Sequence, residues 1–166
     1  MARIYVGVGS NIDRERNIAG GLDALARAFG PLTVSTVYES EAVGFRSDNF
    51  FNLVIGFDSD APPEAVSATL RDIEERFGRR RGGPRFAPRT LDLDLLLYND
   101  LVRNDGDIHL PREDITRYAF VLRPLAEIAG ELRHPVSGAR FADLWAAFDR
   151  ASQPLWPVSP EPVKGR

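Results

Sequence analysis

Cysteine is absent from the 166 residues, which excludes a disulfide framework and any thiolate metal site. Lysine is nearly absent: Lys164 stands alone beside twenty arginines. A P-loop needs a lysine inside Gly-x-x-x-x-Gly-Lys-Ser/Thr, and a protein kinase needs one on a strand. With no lysine in the body of the chain, both kinds of phosphoryl transfer are excluded. No apolar run approaches the length of a membrane span. The strand pattern begins at once with Arg3-Ile4-Tyr5-Val6 and leaves no room for a signal peptide. Positive charge is not in excess either, the net charge being −3, which argues against a general nucleic-acid or membrane-surface binder. The expected setting is the cytoplasm.

What remains is an ordinary soluble composition, 43% hydrophobic and 27% charged, enough for one domain with a real core. We place that domain at residues 1–150. Residues 151–166 read as a proline-rich tail, extended or disordered. Residues 3–9 alternate as a first strand, and Gly7, Gly9, Ser10 and Asn11 are expected to end it. That Gly-x-Gly reads either as an anion cradle or as a tight turn into a helix capped by Ser10, Asn11 or Asp13. Ile18, Leu22, Leu25, Ala26 and Phe29 make a helical stripe over 14–29, closed by Gly30-Pro31. A second strand follows near 32–39, an aperiodic loop over 40–49, and a third strand over 50–57. Pro62-Pro63-Glu64 opens a second helix that runs to Phe77, with Gly78 closing it. After a strand at 90–98 come short extended pieces near 101–103 and 107–110. A helical segment from Tyr118 is expected to break at Pro124, and Phe141, Leu144, Trp145 and Phe148 mark a last amphipathic helix. The order β-α-β-β-α-β predicts an α+β protein of the ferredoxin-like, split-βαβ type, with an antiparallel-rich sheet and helices packed on its faces.

The chemistry concentrates in residues 79–97. On a regular strand, Leu91, Leu93, Leu95 and Leu97 share one face and Thr90, Asp92 and Asp94 the other. Two carboxylates side by side on an otherwise apolar strand repel each other and lose hydration, so they demand positive charge. Five arginines occupy the eleven residues Arg79 to Arg89, with no acid among them. Read blandly, this is a solvated basic loop with Phe86 tucked onto the core, and a salt-bridge network between Arg89 and the acids. Read functionally, a hard metal sits on the acids and a polyphosphate lies between that metal and the arginines. Mg²⁺ suits such a site because it takes one or two carboxylates and completes its shell with water and phosphate oxygens. Arginine forks match phosphate and stay charged when desolvated. Asn52, interrupting the third strand, reads either as a satisfied structural group or as a ligand contact.

Pro88-Arg-Thr-Leu-Asp-Leu-Asp94 behind an arginine-rich loop resembles the signature of 6-hydroxymethyl-7,8-dihydropterin pyrophosphokinases. The likeness extends through Val8-Gly-Ser-Asn11, Phe50-Phe-Asn52 and Phe120-Val-Leu-x-Pro-Leu125. It implies transfer of pyrophosphate from ATP, the co-substrate, to the hydroxymethyl group of the pterin in folate biosynthesis. Two Mg²⁺ ions are implied on Asp92 and Asp94. Arg79 and Arg89 match the catalytic arginines, and Arg81 and Arg85 further phosphate-facing ones. Leu95, Ile108, His109 and Arg112 fall on the nucleotide side. Ser40, Val43, Phe50, Asn52, Phe86 and Phe120 fall on the pterin side. The chain departs from the family pattern at Ala87, where glycine is common, and at Arg112, where histidine is usual. It departs also at Tyr118, where an arginine is frequent, and at Glu41 and Ala42, where prolines are usual. Other readings left open are a paralogue for a related pterin, a pterin-binding relative without catalysis, and a ferredoxin-like RNA-binding module. The partners expected are small molecules, with no nucleic acid and no membrane.

Overall fold

The computed structural model describes residues 1–41, 49–78 and 91–158. Strand β1 (Ala2–Ser10) lies between β4 (Phe50–Ser59) and β5 (Asp92–Tyr98), antiparallel to both. Helix α1 (Arg14–Phe29) leads from β1 to a broken edge strand, β2 (Thr33–Val34) and β3 (Tyr38–Ser40). Helix α2 (Pro63–Arg76) follows β4. Beyond β5 come a hairpin, β6 (Arg103–Asp105) and β7 (Ile108–Leu110), and helices α3 (Asp114–Arg117), α4 (Ala119–Ala129) and α5 (Phe141–Ala147). A last strand, β8 (Leu155–Pro157), completes the main sheet in the order β5-β1-β4-β3-β8, with β2 also on β4. Its first four strands have the predicted split-βαβ order.

The sheet is buried on both sides, which the period-2 pattern of its strands dictates. Ile4, Val6 and Val8 pack with Ile18 and Leu25 of α1 and Val66, Leu70 and Ile73 of α2. Tyr5 and Val54 pack on the other face with Ile115, Val121, Leu122, Leu125 and Phe141 from α3, α4 and α5. No helix among the described residues is long and apolar enough to cross a membrane.

Four local expectations need revision. The strand expected over 32–39 is two pieces. At the break Ser35 donates its N–H to the Val54 carbonyl and accepts the Val54 N–H on Oγ, so a hydroxyl stands in for a backbone carbonyl. Gly7 and Gly9 lie inside β1 and make no turn. Helix α1 starts from Asp13, whose φ of 42° is left-handed and whose side chain makes no cap bond. Pro124 does not break α4, which continues from Ala119 to Ala129. It removes only the N–H that would bond the Phe120 carbonyl, and the buried faces of its neighbours hold the helix together.

The fourth revision concerns the acidic strand. Tyr5 pairs with Leu97 but Val6 pairs with Leu95, so Leu96 is an extra residue, a β-bulge. Leu91, Leu93 and Leu95 pack with the α1/α2 layer, as alternation requires. Leu96 and Leu97 both join the α4/α5 layer. Leu97 therefore does not share a face with the other odd-numbered leucines.

The tail opens in a 3-10 turn, Arg150–Ser152, and is extended from Leu155 to Pro157. β8 pairs with β3, and Val158 donates to the Val37 carbonyl at 2.9 Å.

Candidate active site

Cross-strand partners in an antiparallel ladder point to the same face. Gly9 pairs with Asp92 on one side and Asn52 on the other, and Asn52 pairs with Tyr38. Gly7 pairs with Asp94. Asp92, Asp94 and Asn52 thus stand on one sheet face, in a row interrupted by glycines. That is the face covered by α4, whose first turn carries Phe120.

The glycines give the row its room. A Cβ on Gly9 would sit 2.8 Å from Asn52 Oδ1, too close for any real contact. A Cβ on Gly7 would meet only Leu96, at 3.6 Å. Gly9 therefore lets the Asn52 amide lie over β1, where Asn52 Nδ2 donates to Ser40 Oγ at 3.3 Å. Both Asn52 and Ser40 are buried. Ser40 pairs with Phe50 in the β3–β4 ladder, which adds Phe50 to the same corner. The Phe120 ring stacks on Tyr118 with centroids 5.0 Å apart.

Burial, then the neighbouring Asp92 carboxylate, push the Asp94 carboxyl up to about 7. Asp114 and Glu74 add to the push and the Arg112 guanidinium opposes it. Arg112 Nη2 lies 3.5 Å from Asp94 Oδ1, and its Nε is 3.9 Å from Asp114 Oδ2. That Nε is buried with no hydrogen-bond partner. Glu74 is the acid that sequence reading missed. It is buried on α2 and accepts the Leu93 N–H at 2.7 Å, on the strand edge between the two aspartates. Its signal was a carboxylate one position after Ile73 on the buried stripe of α2, where helical spacing brings it to the core boundary.

Along this outer edge of β5 lies a cavity of about 200 Å³. Asp94, Leu95, Ile108, His109, Arg112 and Glu74 are among its lining. The structure thus brings together the four residues expected on the nucleotide side and sets them beside one of the two acids. Ser40, Phe50 and Asn52 gather on the sheet face that α4 covers, and Phe120 stands in the first turn of that helix. Val43, Arg79, Arg81, Arg85, Phe86 and Arg89 lie outside the described residues.

Among the described residues no group of three or more His, Cys, Asp or Glu side chains is arranged to hold a metal ion. The acid pair still fits Mg²⁺, which needs only one or two carboxylates when phosphate oxygens fill its shell. At Asp94, burial and the Asp92 carboxylate outweigh the Arg112 guanidinium, so a further positive charge there would be favourable.

An acid pair beside a cavity of about 200 Å³ at one edge of a ferredoxin-like sheet, with an amide and aromatic rings on the adjoining face, accompanies membership of a transferase family. The chain belongs to the 7,8-dihydro-6-hydroxymethylpterin-pyrophosphokinase family, whose profile matches residues 5–130. It is 37% identical over 153 residues to the Pseudomonas aeruginosa 2-amino-4-hydroxy-6-hydroxymethyldihydropteridine pyrophosphokinase, covering 89% of this chain and 92% of that protein. It is 33% identical over 138 residues to the Aquifex aeolicus pyrophosphokinase of the same name, covering 82% and 86%. A Plasmodium falciparum HPPK-DHPS crystal structure superposes with a TM-score of 0.72 at 12% identity. It covers 87% of this chain and 41% of that one, a likeness of fold. The reaction of this family is pyrophosphoryl transfer from ATP to hydroxymethyldihydropterin in folate biosynthesis, and the chain is a transferase of that kind.

Proposed function

We propose that this transfer runs between two halves of one site: an acidic, nucleotide-holding edge at β5 and a pterin-holding face beneath α4. The observation that carries the reading is the row Asp92-Gly9-Asn52, which puts the acid pair and the Asn52 amide on one face of adjoining strands. Asn52 and the Ser40 hydroxyl offer donors and acceptors to the polar edge of a pterin, and Phe120 offers a ring face for stacking. Leu95 and Ile108 supply apolar wall to the edge cavity, a setting suited to adenine.

In the reaction the pterin hydroxymethyl oxygen attacks the β-phosphorus of ATP. The bond from that phosphorus to the oxygen it shares with the α-phosphate breaks, AMP leaves, and the hydroxyl proton is lost. Asp92 and Asp94 are the residues to hold Mg²⁺, two ions in our reading, and when bound the metal supplies charge neutralisation for the triphosphate. Arg112, whose Nε lacks a partner, has a donor to spare for a phosphate oxygen. Arg79 and Arg89 are assigned to the transferring charge and Arg81 and Arg85 to the phosphates, with Val43 and Phe86 on the pterin side. Those six assignments rest on sequence resemblance. The work of the protein in such a transfer is positioning and charge neutralisation.

The test is a coupled product analysis. Protein, ATP, Mg²⁺ and 6-hydroxymethyl-7,8-dihydropterin should give AMP and the pterin diphosphate in equal amounts, and chelation by EDTA should stop both. AMP without pterin diphosphate would reduce the activity to hydrolysis, and product formation in EDTA would remove the metal role.

A further inference from the structure

The C-terminal segment touches both walls of the pterin side. Gln153 Oε1 accepts the Ala119 N–H at 2.9 Å, and Gln153 Nε2 donates to the Arg117 carbonyl at 3.0 Å. These backbone groups flank Tyr118 at the start of α4, next to Phe120. A helix start leaves its first N–H groups unpaired, and the flanking residue Tyr118 provides no side-chain cap here. Gln153 supplies one from thirty-four residues away.

Two residues on, the Leu155 carbonyl accepts Arg123 Nη1 at 3.4 Å. The Arg123 guanidinium in turn lies over the Tyr38 ring, 4.6 Å from its centroid. The chain then becomes β8 and pairs Leu155 with Ser40, Trp156 with Glu39 and Pro157 with Tyr38. Trp156 Nε1 donates to Glu39 Oε1 at 3.3 Å. Glu39 Oε2 accepts Arg14 Nη1 at 3.1 Å and Asn49 Nδ2 at 3.2 Å. One carboxylate thus joins β8, α1 and the entry to β4.

We infer that Gln153–Trp156 is a positioning brace for the pterin side of the site. Gln153 sets the α4 start that carries Phe120. Trp156 and Glu39 set the β3 edge that carries Ser40 and, through its hydroxyl, Asn52. The stacking wall and the hydrogen-bonding wall come from elements far apart in sequence, and this short segment contacts both. A site of this kind loses affinity when its walls shift by fractions of an ångström. The inference rests on the reading of Ser40, Asn52 and Phe120 as pterin-side residues. Among the described residues that line the cavity at the β5 edge none belongs to the brace, so the ATP KM is the internal control.

Full-length Gln153→Ala and Trp156→Ala test the brace by steady-state kinetics with each substrate varied. The expected result for Gln153→Ala is a pterin KM raised about fivefold, because the α4 start that carries Phe120 loses its two bonds to Gln153. The ATP KM stays close to wild type, the melting temperature falls by about 2–4 °C at most, and Trp156→Ala moves the pterin KM in the same direction. Gln153→Glu keeps the acceptor for Ala119 and loses the donor to Arg117, so it falls between wild type and Gln153→Ala. An unchanged pterin KM in both alanine variants overturns the brace, as does a pterin and ATP KM rising together with a lowered melting temperature. Asn52→Ala separates the two readings. If it raises the pterin KM while Gln153→Ala does not, the brace alone fails; if it leaves the pterin KM unchanged, the pterin-side assignment fails.

Discussion

Replacing Asp94 by asparagine should make the metal-free protein more stable while removing its activity. The folded protein holds the Asp94 carboxyl near 7, against an ordinary value of 3.8, because the group is buried beside Asp92. A group whose pKa rises on folding binds more protons folded than unfolded between those two values. Stability therefore falls as pH climbs from about 4 to 7 and the full cost is present above that. A shift of about three units corresponds to at most roughly 4 kcal/mol. The side chain remains 32% exposed and Arg112 lies close, so solvent and counter-ion reduce this. We expect Asp94→Asn to gain roughly 1–2 kcal/mol at pH 8, or about 3–6 °C in melting temperature. At pH 3, below both values, the gain should all but vanish. Urea denaturation of both proteins in EDTA at the two pH values measures it. With Mg²⁺ and ATP the order should invert, because ligand binding stabilises only the protein that binds. A variant less stable than wild type at pH 8 in EDTA, or a gain independent of pH, would refute the argument that the acid pair is held at an electrostatic cost.

Gly9→Ala places a methyl 2.8 Å from Asn52 Oδ1 and must displace that amide. It should raise the pterin KM about tenfold or more and leave the ATP KM within twofold, as varying each substrate would show. Arg112→Ala removes a cation that holds the Asp94 carboxyl down. Proton titration by NMR in metal-free protein should then place that carboxyl higher still, and the ATP KM should rise. Glu74→Ala strips the Leu93 N–H of its carboxylate partner and should cost about 1–2 kcal/mol by chemical denaturation, whereas Glu74→Gln keeps an acceptor and should cost much less.

Several features of this molecule were readable because local rules and the fold agree. Apolar periods placed α1 and α2 almost residue for residue, and the alternation of β1 assigned Ile4, Val6 and Val8 to one layer correctly. The acid pair announced itself as polar groups on a strand that is otherwise leucine. What escaped were properties of pairs of strands. Gly7 and Gly9 resemble a turn until β4 is laid beside β1 and the Asn52 amide is seen to need the space. Glu74 looks like any helix-surface acid until the β5 edge supplies the N–H that it accepts. The tail lacked an apolar period because β8 is only three residues long and takes its order from the β3 edge. Pro124 misled for a related reason, since tertiary packing outweighs one lost backbone bond.

The extra residue at Leu96 has a consequence for how such an enzyme can change. Were Leu96 paired in the ladder instead of bulged, the strand would keep one phase, and Leu97 would face the α1/α2 layer while Tyr98 faced the other. The bulge works as a phase shifter between two halves of β5. Upstream, the strand presents Asp92 and Asp94 to the face that α4 covers; downstream, it presents Leu97 to the layer beneath α4 and α5. Each half can therefore answer to its own neighbours, and repacking around α5 need not rotate the aspartates. Deleting Leu96 would leave Val6 on Leu95 and Tyr5 on Leu97, so both halves would keep their faces and only the Leu96 side chain would be lost from the layer beneath α4 and α5.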